Sequence, residues 1–561
     1  MATDNSDEHL RVYSYDQYSR PDLPLRYCDP QSRLATGPPS TSFSSILARL
    51  ALTTLLTGVT VHAVAQDAQP DGAAAARAGQ IAHAQKMRRL FPDIGAGAQA
   101  TPLVIPELEI DLDTGGAIAS FQPNGPTITA KNAFFQDLGS NGRTCFTCHQ
   151  PQDGWSLSAQ HAQERFHSDS DDPLFRLVDG ATCPSDDVST YGKKQKAYSL
   201  LLEKGLIRVG LPMPSNGLEF QIVDVDDPYG CNTNPITGLS GSTTGTVSVY
   251  RRPLPAANLG FLSTIMWDGR EPSLFNQAID ATLGHAQGTV APSATQQQQI
   301  VSFEGCMSAA DPTLCANTPA GSGVFAAQIF DDAGISLADS GANGGPITLS
   351  KELAKFFIGI NDPLGQNPKG VPFNPQIFDL YSDWTSHRGT SRGDDRRQAI
   401  ARGEELFNST KINIAGVAGL NDALNQPSIS GVCGTCHDAP NVGNHSVKAP
   451  LNIGVADAGK NSPPALDIGG LPVFTLWCTS GPLTGKMFEV TDPGRSLITG
   501  KCADIGKLKG PILRGLAARA PYFHNGSAAT LADVVEFYNQ RFDIGFTDQQ
   551  RADLLAFLSS L

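Results

Sequence analysis

The sequence predicts a mostly α-helical protein with two domains, long loop insertions and few strands. The pentapeptide Cys-x-x-Cys-His occurs twice, at residues 145–149 and 433–437, which indicates one similar unit around each copy. Helical patterns with capping residues lie near the second copy and continue to residue 561. Alternating apolar and polar runs, the signal for half-buried strands, are sparse. A chain of 561 residues is long enough for two domains with separate cores.

Three helical segments support this fold class. Residues 399–407 form a helical pattern that leads toward the second motif. Thr530 and Asp533 form a capping box before a helix whose apolar stripe includes Tyr538, so we expect this tyrosine to face inward. A second box at Thr547 opens the last predicted helix, which continues to the final leucine.

Each Cys-x-x-Cys-His motif predicts one covalently attached c-type haem. Two thiols three positions apart can reach both vinyl groups of a porphyrin, and the next imidazole then lies beneath the iron. The predicted attachment residues and axial ligands are Cys145, Cys148 and His149 for the first haem, and Cys433, Cys436 and His437 for the second. We therefore expect two cytochrome-c-like haem domains.

Composition shifts divide the chain into four predicted segments. They are a signal peptide with an N-terminal extension (1–65), a linker (66–90), the first haem domain (91–390) and the second haem domain (391–561). Gly- and Pro-rich stretches at 168–250 and 286–345 are weakly periodic, so we expect them to be long loops inserted into the first domain.

The N-terminal segment predicts secretion to the periplasm, where haem c is attached. Arg49 precedes an apolar run over residues 50–64, and the run ends in Ala63-Val64-Ala65, after which we expect cleavage. The polar stretch before this run is longer than in most signals, which leaves an uncleaved anchor open. We expect no membrane span in the mature chain.

Six cysteines outside the motifs would remain after cleavage, an even number that suits an oxidising compartment. Sequence alone cannot choose among the 15 possible pairings of these six cysteines. Our hypothesis is a pairing that keeps each bridge within one segment between motifs: Cys183 with Cys231, Cys306 with Cys315, and Cys478 with Cys502. The formal net charge of −14 argues against nucleic acid as a partner and favours a cationic redox protein.

Two further motifs indicate a family. Trp267-Asp-Gly-Arg270 lies between the haem motifs, and Ala520-Pro-Tyr-Phe-His-Asn-Gly526 lies near the end. From about residue 130 onward the chain resembles the bacterial di-haem cytochrome c peroxidases and MauG. The resemblance implies that hydrogen peroxide forms high-valent haem at the first site, that the second haem stores electrons, and that Trp267 carries electrons between them.

The resemblance also implies a distal ligand for the second haem. In this family the ligand lies fifteen residues after the Phe of Pro-Tyr-Phe-His, and it is Met in the peroxidases and Tyr in MauG-like members. Counting from Phe523 leads to Tyr538. A phenolate favours ferric and higher states of iron, whereas a thioether raises the potential, so Tyr538 indicates MauG-like chemistry.

The peroxide site departs from the family pattern. Relatives carry Gln ten residues after the Trp and an acid/base Glu ten residues later, and these positions hold Gln277 and Gln287. An amide cannot accept the first proton of peroxide, so Gln287 cannot act as the general base. Nearby His285 has three open roles: the base, a sixth ligand of the first haem, or a bystander.

The family also holds calcium between the haems, through an Asn side chain and backbone carbonyls. Those positions correspond to Arg252 for the side chain and to Arg519 and Pro521 for the carbonyls. A guanidinium repels cations, so either the loop is shifted or Arg252 supplies the charge itself. Calcium is therefore poorly supported.

The expected function is a periplasmic, peroxidase-like di-haem oxidoreductase. Its reductant would be a small cytochrome c, a cupredoxin, or a side chain of a protein substrate as for MauG. Two alternatives stay open: a di-haem oxygenase of the rubber-cleaving kind, and a non-catalytic electron carrier or redox sensor in which both irons are six-coordinate.

Overall fold

The computed structural model describes residues 101–561 except for 235–237, 240–245, 263, 306–321, 339–341, 387–390 and 444–448. The predicted signal peptide, its cleavage point and the linker lie outside the described residues. The predicted bridge between Cys306 and Cys315 also lies outside them.

Ten α-helices lie in the described part of the chain. They are α1 (Ala159–Ser168), α2 (Tyr191–Ala197), α3 (Ser199–Lys204), α4 (Leu274–Gly284), α5 (Ala294–Glu304), α6 (Gly345–Leu353), α7 (Arg392–Ser409), α8 (Ser496–Thr499), α9 (Leu531–Arg541) and α10 (Asp548–Leu558). The 3-10 helices are Thr129–Lys131, Ala133–Phe135, Cys145–Thr147, Pro151–Asp153, Ser382–Ser386, Cys433–Thr435, Gly459–Asn461, Cys502–Asp504 and Leu516–Ala518.

Fourteen short strands are also described. They are β1 (Val104–Ile105), β2 (Leu108–Asp113), β3 (Gly116–Phe121), β4 (Thr127–Ile128), β5 (Ile207–Pro212), β6 (Phe220–Asp226), β7 (Thr233–Asn234), β8 (Gly238–Leu239), β9 (Thr246–Arg251), β10 (Phe325–Phe330), β11 (Ile412–Ala415), β12 (Ser428–Gly431), β13 (Val473–Cys478) and β14 (Met487–Val490). Two three-stranded sheets have the orders β10-β3-β2 and β14-β13-β6, and the other four sheets are pairs.

Strands are more numerous than the sequence predicts. The described residues are 30% helical and 17% strand, so helix is the more abundant of the two, but a mostly α-helical fold with few strands is not confirmed. The strands pair across long distances, as where Phe474 of β13 lies opposite Val225 of β6. Such short segments contain too few alternating residues to be recognised before their partners are known.

The two stretches predicted to be loops contain regular structure. Residues 168–250 include α2, α3 and strands β5 to β9, and residues 286–345 include α5 and β10. Ser293 caps α5, because its hydroxyl accepts a hydrogen bond from the backbone N–H of Gln296. The prediction overlooked this Ser-x-x-Gln box because the helix contains four consecutive glutamines, which give no apolar stripe.

The three predicted helices are confirmed. Residues 399–407 lie inside α7, and the boxes at Thr530 and Thr547 cap α9 and α10. In both boxes the threonine hydroxyl accepts from the N–H three residues later, and the side chain at that position accepts from the threonine N–H. Helices α7 and α10 pack together beside the second motif, with Phe557 fully buried between them.

Two of the predicted disulfides are confirmed, Cys183–Cys231 and Cys478–Cys502. The second bridge ties the end of β13 to the turn at Cys502–Asp504. Because β13 also pairs with β6, residues before and after position 390 share one sheet. No described helix is both long and apolar enough to cross a membrane.

Candidate functional site

Both Cys-x-x-Cys-His motifs start with a short 3-10 helix, Cys145–Thr147 in one and Cys433–Thr435 in the other. In each, the threonine hydroxyl accepts a hydrogen bond from the backbone N–H three residues earlier, at 3.0 Å. Thr147 and Thr435 thus close the turns that bring the two thiols of a motif to the same cavity.

The motif histidines have the same orientation at both sites. Nδ1 of His149 lies 2.9 Å from the carbonyl oxygen of Trp155, and Nδ1 of His437 lies 3.2 Å from that of Gly443. Burial lowers the pKa of each histidine to about 4, so both imidazoles are neutral at pH 7. A neutral imidazole whose Nδ1–H donates to a carbonyl offers Nε2 to a metal.

Each motif faces its own large cavity. The first cavity has a volume of about 1360 Å³ and is lined by Cys145, Cys148 and His149. The second has a volume of about 1480 Å³ and is lined by Cys433, Cys436 and His437, with Tyr538 also on its wall.

The cavities fit two covalently attached haems. None of the four motif cysteines is in a disulfide, so each thiol is free to form a thioether. Most of the surface that lines each cavity is apolar, as a porphyrin face requires. The structure thus brings together every residue that the sequence predicts for attachment and axial ligation.

Trp267 and Lys509 lie at the junction of the two cavities and line both. The indole N–H of Trp267 donates to the carbonyl oxygen of Arg252 at 2.7 Å, and the backbone N–H of Lys509 donates to the carbonyl oxygen of Trp267 at 2.7 Å. These two bonds hold the indole ring and its backbone in place. The predicted bridge residue therefore occupies a position between the two predicted haems.

His285 lies in the first cavity with a carboxylate behind it. Gln277 and Ala281 of helix α4 and His285, the residue that caps its C-terminus, follow one another at four-residue intervals, and all three line the cavity. Nδ1 of His285 lies 2.6 Å from Oδ2 of Asp179. Burial raises the pKa of Asp179, but Arg143 and His285 lower it more, so the carboxylate stays ionised.

The two glutamines have different positions. Gln277 faces the first cavity, and its buried Oε1 has no hydrogen-bond partner among the described residues. Gln287 is exposed and does not line that cavity, because the chain turns away at a φ of 54°. Its Oε1 instead lies 3.4 Å from the amide nitrogen of Asn141. The structure therefore does not bring Gln287 to the predicted peroxide site.

Tyr538 faces the second cavity from α9, as the capping box predicts. Aromatic rings surround it: Phe523, Phe537 and Phe542 lie 6.3, 5.3 and 6.3 Å from its ring centroid. Burial and the nearby cysteines raise the pKa of the phenol. A bound cation would oppose this shift and favour the phenolate.

Two site residues gave no signal in the sequence. Asp179 lies 106 residues before His285, in a stretch that predicts loops. Lys509 lies in an ordinary Lys-x-Lys segment, yet its side chain is buried, and burial followed by the charge of Arg519 lowers its pKa to about 8. Only the folded chain places Lys509 at the cavities and Asp179 behind His285.

Comparisons with known proteins agree with the motifs. A cytochrome-c peroxidase of Denitromonas iodatirespirans is 34% identical over 140 residues, which is 23% of this chain and 36% of the relative. The cytochrome c551 peroxidase of Nitrosomonas europaea is 28% identical over 151 residues, which is 26% of this chain and 36% of the relative. The chain thus matches about a third of the length of these relatives, which are oxidoreductases.

No family model matches the chain. A solved structure, described as a MauG-like protein associated with microbial copper homeostasis, aligns with 77% of this chain and 87% of that chain. Its sequence identity of 17% and TM-score of 0.31 are too low to show a shared fold. The curated relatives nevertheless support the family that the motifs indicate, the di-haem cytochrome c peroxidases and MauG.

Proposed function

We propose that this protein is a periplasmic di-haem c oxidoreductase that reduces hydrogen peroxide with electrons from an external donor. The observation that carries the proposal is that Trp267 lines both cavities, each of which contains one Cys-x-x-Cys-His motif. Each haem, when attached, supplies an iron that binds ligands and exchanges electrons. The residues of the chain supply proton transfer, positioning and the path between the sites.

In this proposal peroxide enters the first cavity, opposite His149. Asp179 holds Nδ1 of His285, which leaves Nε2 to take the proton of the attacking peroxide oxygen and return it to the leaving oxygen. Two electrons and two protons convert one peroxide molecule into two molecules of water. His285 thus replaces the carboxylate that family members carry ten residues after Gln277, and the alternative role as an iron ligand stays open.

Trp267 is the proposed path for electrons from the second cavity to the first. Its ring lies 6.1 Å from that of His524, which lines the second cavity. Burial lowers the pKa of His524 to about 4, so this ring is neutral at pH 7 and places no charge beside the indole. His524 is therefore proposed to pack against the bridge, and no iron is assigned to it.

Tyr538 is the proposed distal ligand of the second haem, opposite His437. Its helix, its aromatic neighbours and its position on the cavity wall support this assignment. A phenolate ligand favours oxidised iron, so the second site would hold oxidising equivalents better than a site with Met. This choice favours MauG-like oxidation of a protein side chain over simple disposal of peroxide.

The external donor is proposed to be a cationic redox protein, a small cytochrome c or a cupredoxin, or a protein substrate. The net charge of −14 attracts a cationic partner. The test is a steady-state assay of the haem-loaded protein with hydrogen peroxide and a reduced, basic c-type cytochrome. We expect two donor molecules to be oxidised per peroxide at a rate that falls with ionic strength. No oxidation of the donor above the haem-free background would overturn the proposal.

The aliphatic lining of the first cavity favours a second candidate, an oxygenase that acts on an apolar substrate. Leu138, Leu259 and Leu262 are among its wall residues, and Gln287 is absent from the wall. Oxygen uptake with a polyisoprene emulsion, in the absence of peroxide, separates this candidate from the first. Stoichiometric oxygen consumption would support the oxygenase, and no consumption would remove it.

A further inference from the structure

Three backbone carbonyls converge on the guanidinium of Arg252. Nη2 donates to the carbonyl oxygens of Leu157 at 2.7 Å and Arg519 at 2.9 Å, and Nη1 donates to that of Lys204 at 3.2 Å. These carbonyls come from three separate segments of the chain. Converging carbonyl oxygens are also the ligands that calcium prefers.

The guanidinium fills this carbonyl cage completely. Arg252 is 5% exposed, and a Cβ atom added at Gly205 would lie only 2.6 Å from its Nη1. Gly205 has a φ of 61°, so the close approach and the backbone conformation both favour glycine here. The guanidinium therefore occupies the position between the three carbonyl oxygens.

The charges around the cage oppose a second cation. Arg519 is buried next to Arg252 and donates to the carbonyls of Ile512, Arg514 and Gly515, at 2.6, 2.9 and 3.1 Å. Burial lowers the pKa of Arg252 to about 10, and the charge of Asp153 offsets this only in part. Within the described residues, no cluster of three or more acidic, His or Cys side chains could hold a metal. A divalent ion would meet two fixed positive charges.

Arg252 also connects the cage to the electron path. Its backbone carbonyl accepts the indole N–H of Trp267 at 2.7 Å, and its backbone N–H donates to the carbonyl of His524 at 2.7 Å. The residue therefore joins the first cavity, the bridge and the loop beside the second cavity. The backbone of Arg252 thus holds the indole of Trp267, while its side chain holds the three carbonyls of the cage.

We propose that Arg252 takes the place of a divalent cation between the two cavities. The chain is then independent of calcium, and Arg252 is a positioning residue that holds Trp267 and residues 519–524 in one arrangement. This inference rests on the proposed di-haem site for its importance, but metal binding can be measured whether or not the protein reduces peroxide. The difference from the calcium site of the family thus arises from one side chain, that of Arg252.

The first test uses the haem-loaded wild-type protein after dialysis against a calcium chelator. We expect less than about 0.1 calcium ion per chain by elemental analysis, no heat of binding on titration with CaCl₂, and an unchanged midpoint of thermal unfolding. Retention of about one calcium ion per chain, or a rise in the midpoint on adding CaCl₂, would overturn the proposal.

The second test opens the cage with Arg252→Asn, which removes the charge and supplies an amide oxygen. We expect CaCl₂ to raise the unfolding midpoint of this variant and to restore the wild-type haem absorption spectrum. The matched control is Arg176→Met, because Arg176 also donates to backbone carbonyls but lies away from both cavities. It should show no response to calcium.

A folded, haem-loaded Arg252→Asn protein that ignores calcium would contradict the replacement of an ion by Arg252. If this variant does not fold, the wild-type measurements alone decide. Absence of peroxide reduction by the wild type both with and without added calcium would count against the proposed function and leave the inference about Arg252 intact.

Discussion

His285 and Asp179 form a contact of 2.6 Å at the edge of the first cavity. Asp179 also forms a buried ion pair with Arg143, and this pair holds the carboxylate in place for its contact with His285. A carboxylate behind an imidazole selects the tautomer and the orientation of the ring. The pair therefore gives His285 a defined nitrogen for proton transfer, which a histidine in an exposed loop would lack.

Replacing Asp179 should slow the reaction with peroxide without loss of haem. We expect Asp179→Asn to lower the second-order rate constant by about 10- to 100-fold, because His285 loses its orienting carboxylate, and His285→Gln to lower it by at least about 100-fold. The exposed Asp171→Asn is the control. Stopped-flow absorption measures the rate. An unchanged rate in His285→Gln would show that this histidine is not the base.

Replacing Trp267 should slow electron exchange between the sites and leave both haems attached. Phenylalanine keeps much of the volume but cannot donate to the carbonyl of Arg252 and is harder to oxidise. Trp477→Phe is the control, since Trp477 is 43% exposed on β13. Flash reduction followed by absorption at each haem measures the exchange. Equal exchange rates in Trp267→Phe and the wild type would refute the bridge.

Replacing Tyr538 with methionine should raise the reduction potential of the second haem. A thioether stabilises ferrous iron relative to a phenolate, and we expect a rise on the order of 100 mV. Tyr229→Phe, which removes a phenol remote from both cavities, should leave the potential unchanged. Spectroelectrochemical titration resolves the two haems. If Tyr538→Met has the potential and spectrum of the wild type, Tyr538 is not an iron ligand.

The buried carboxyl group of Glu404 should make the stability of the protein depend on pH. Burial raises its pKa from 4.5 to about 7, although the N–H groups of Tyr381 and Leu380 partly offset this. The folded state therefore binds more protons than the unfolded state between pH 4.5 and 7, so stability falls as the pH rises through this window.

Glu404→Gln removes this titration. As the pH rises from 5 to 8, we expect the free energy of unfolding of the variant to increase by about 2 kcal/mol relative to that of the wild type. Urea denaturation at both pH values measures the difference. Glu405→Gln, on the exposed side of the same helix, is the matched control. A constant difference between Glu404→Gln and the wild type would contradict the raised pKa.

Local signals in the sequence predicted the parts of the site that depend on short spacings. The two Cys-x-x-Cys-His turns and the helix that carries Tyr538 follow from such spacings. The bridges Cys183–Cys231 and Cys478–Cys502 follow only from the added assumption that each bridge stays within one segment of the chain. Each depends on residues within one motif, one helix or one segment. Tyr538 faces the cavity because Thr530 fixes the start of its helix.

The contacts between distant segments could not be predicted from the sequence. Asp179 meets His285 only through the fold, and β6 finds β13 about 250 positions later, so neither leaves a local pattern. Gln287 lies outside the cavity because its backbone has a positive φ angle, which the neighbouring residues do not predict. The carbonyl cage of Arg252 likewise consists of backbone atoms, which carry no sequence signal.

The most direct test of the proposed di-haem peroxidase is stopped-flow absorption after mixing the ferric, haem-loaded protein with one equivalent of hydrogen peroxide. For the proposed function we expect the bands of both haems to change together, and Trp267→Phe to restrict the change to the first haem. An unaltered spectrum at both haems, in a protein shown to contain two haems per chain, would contradict it.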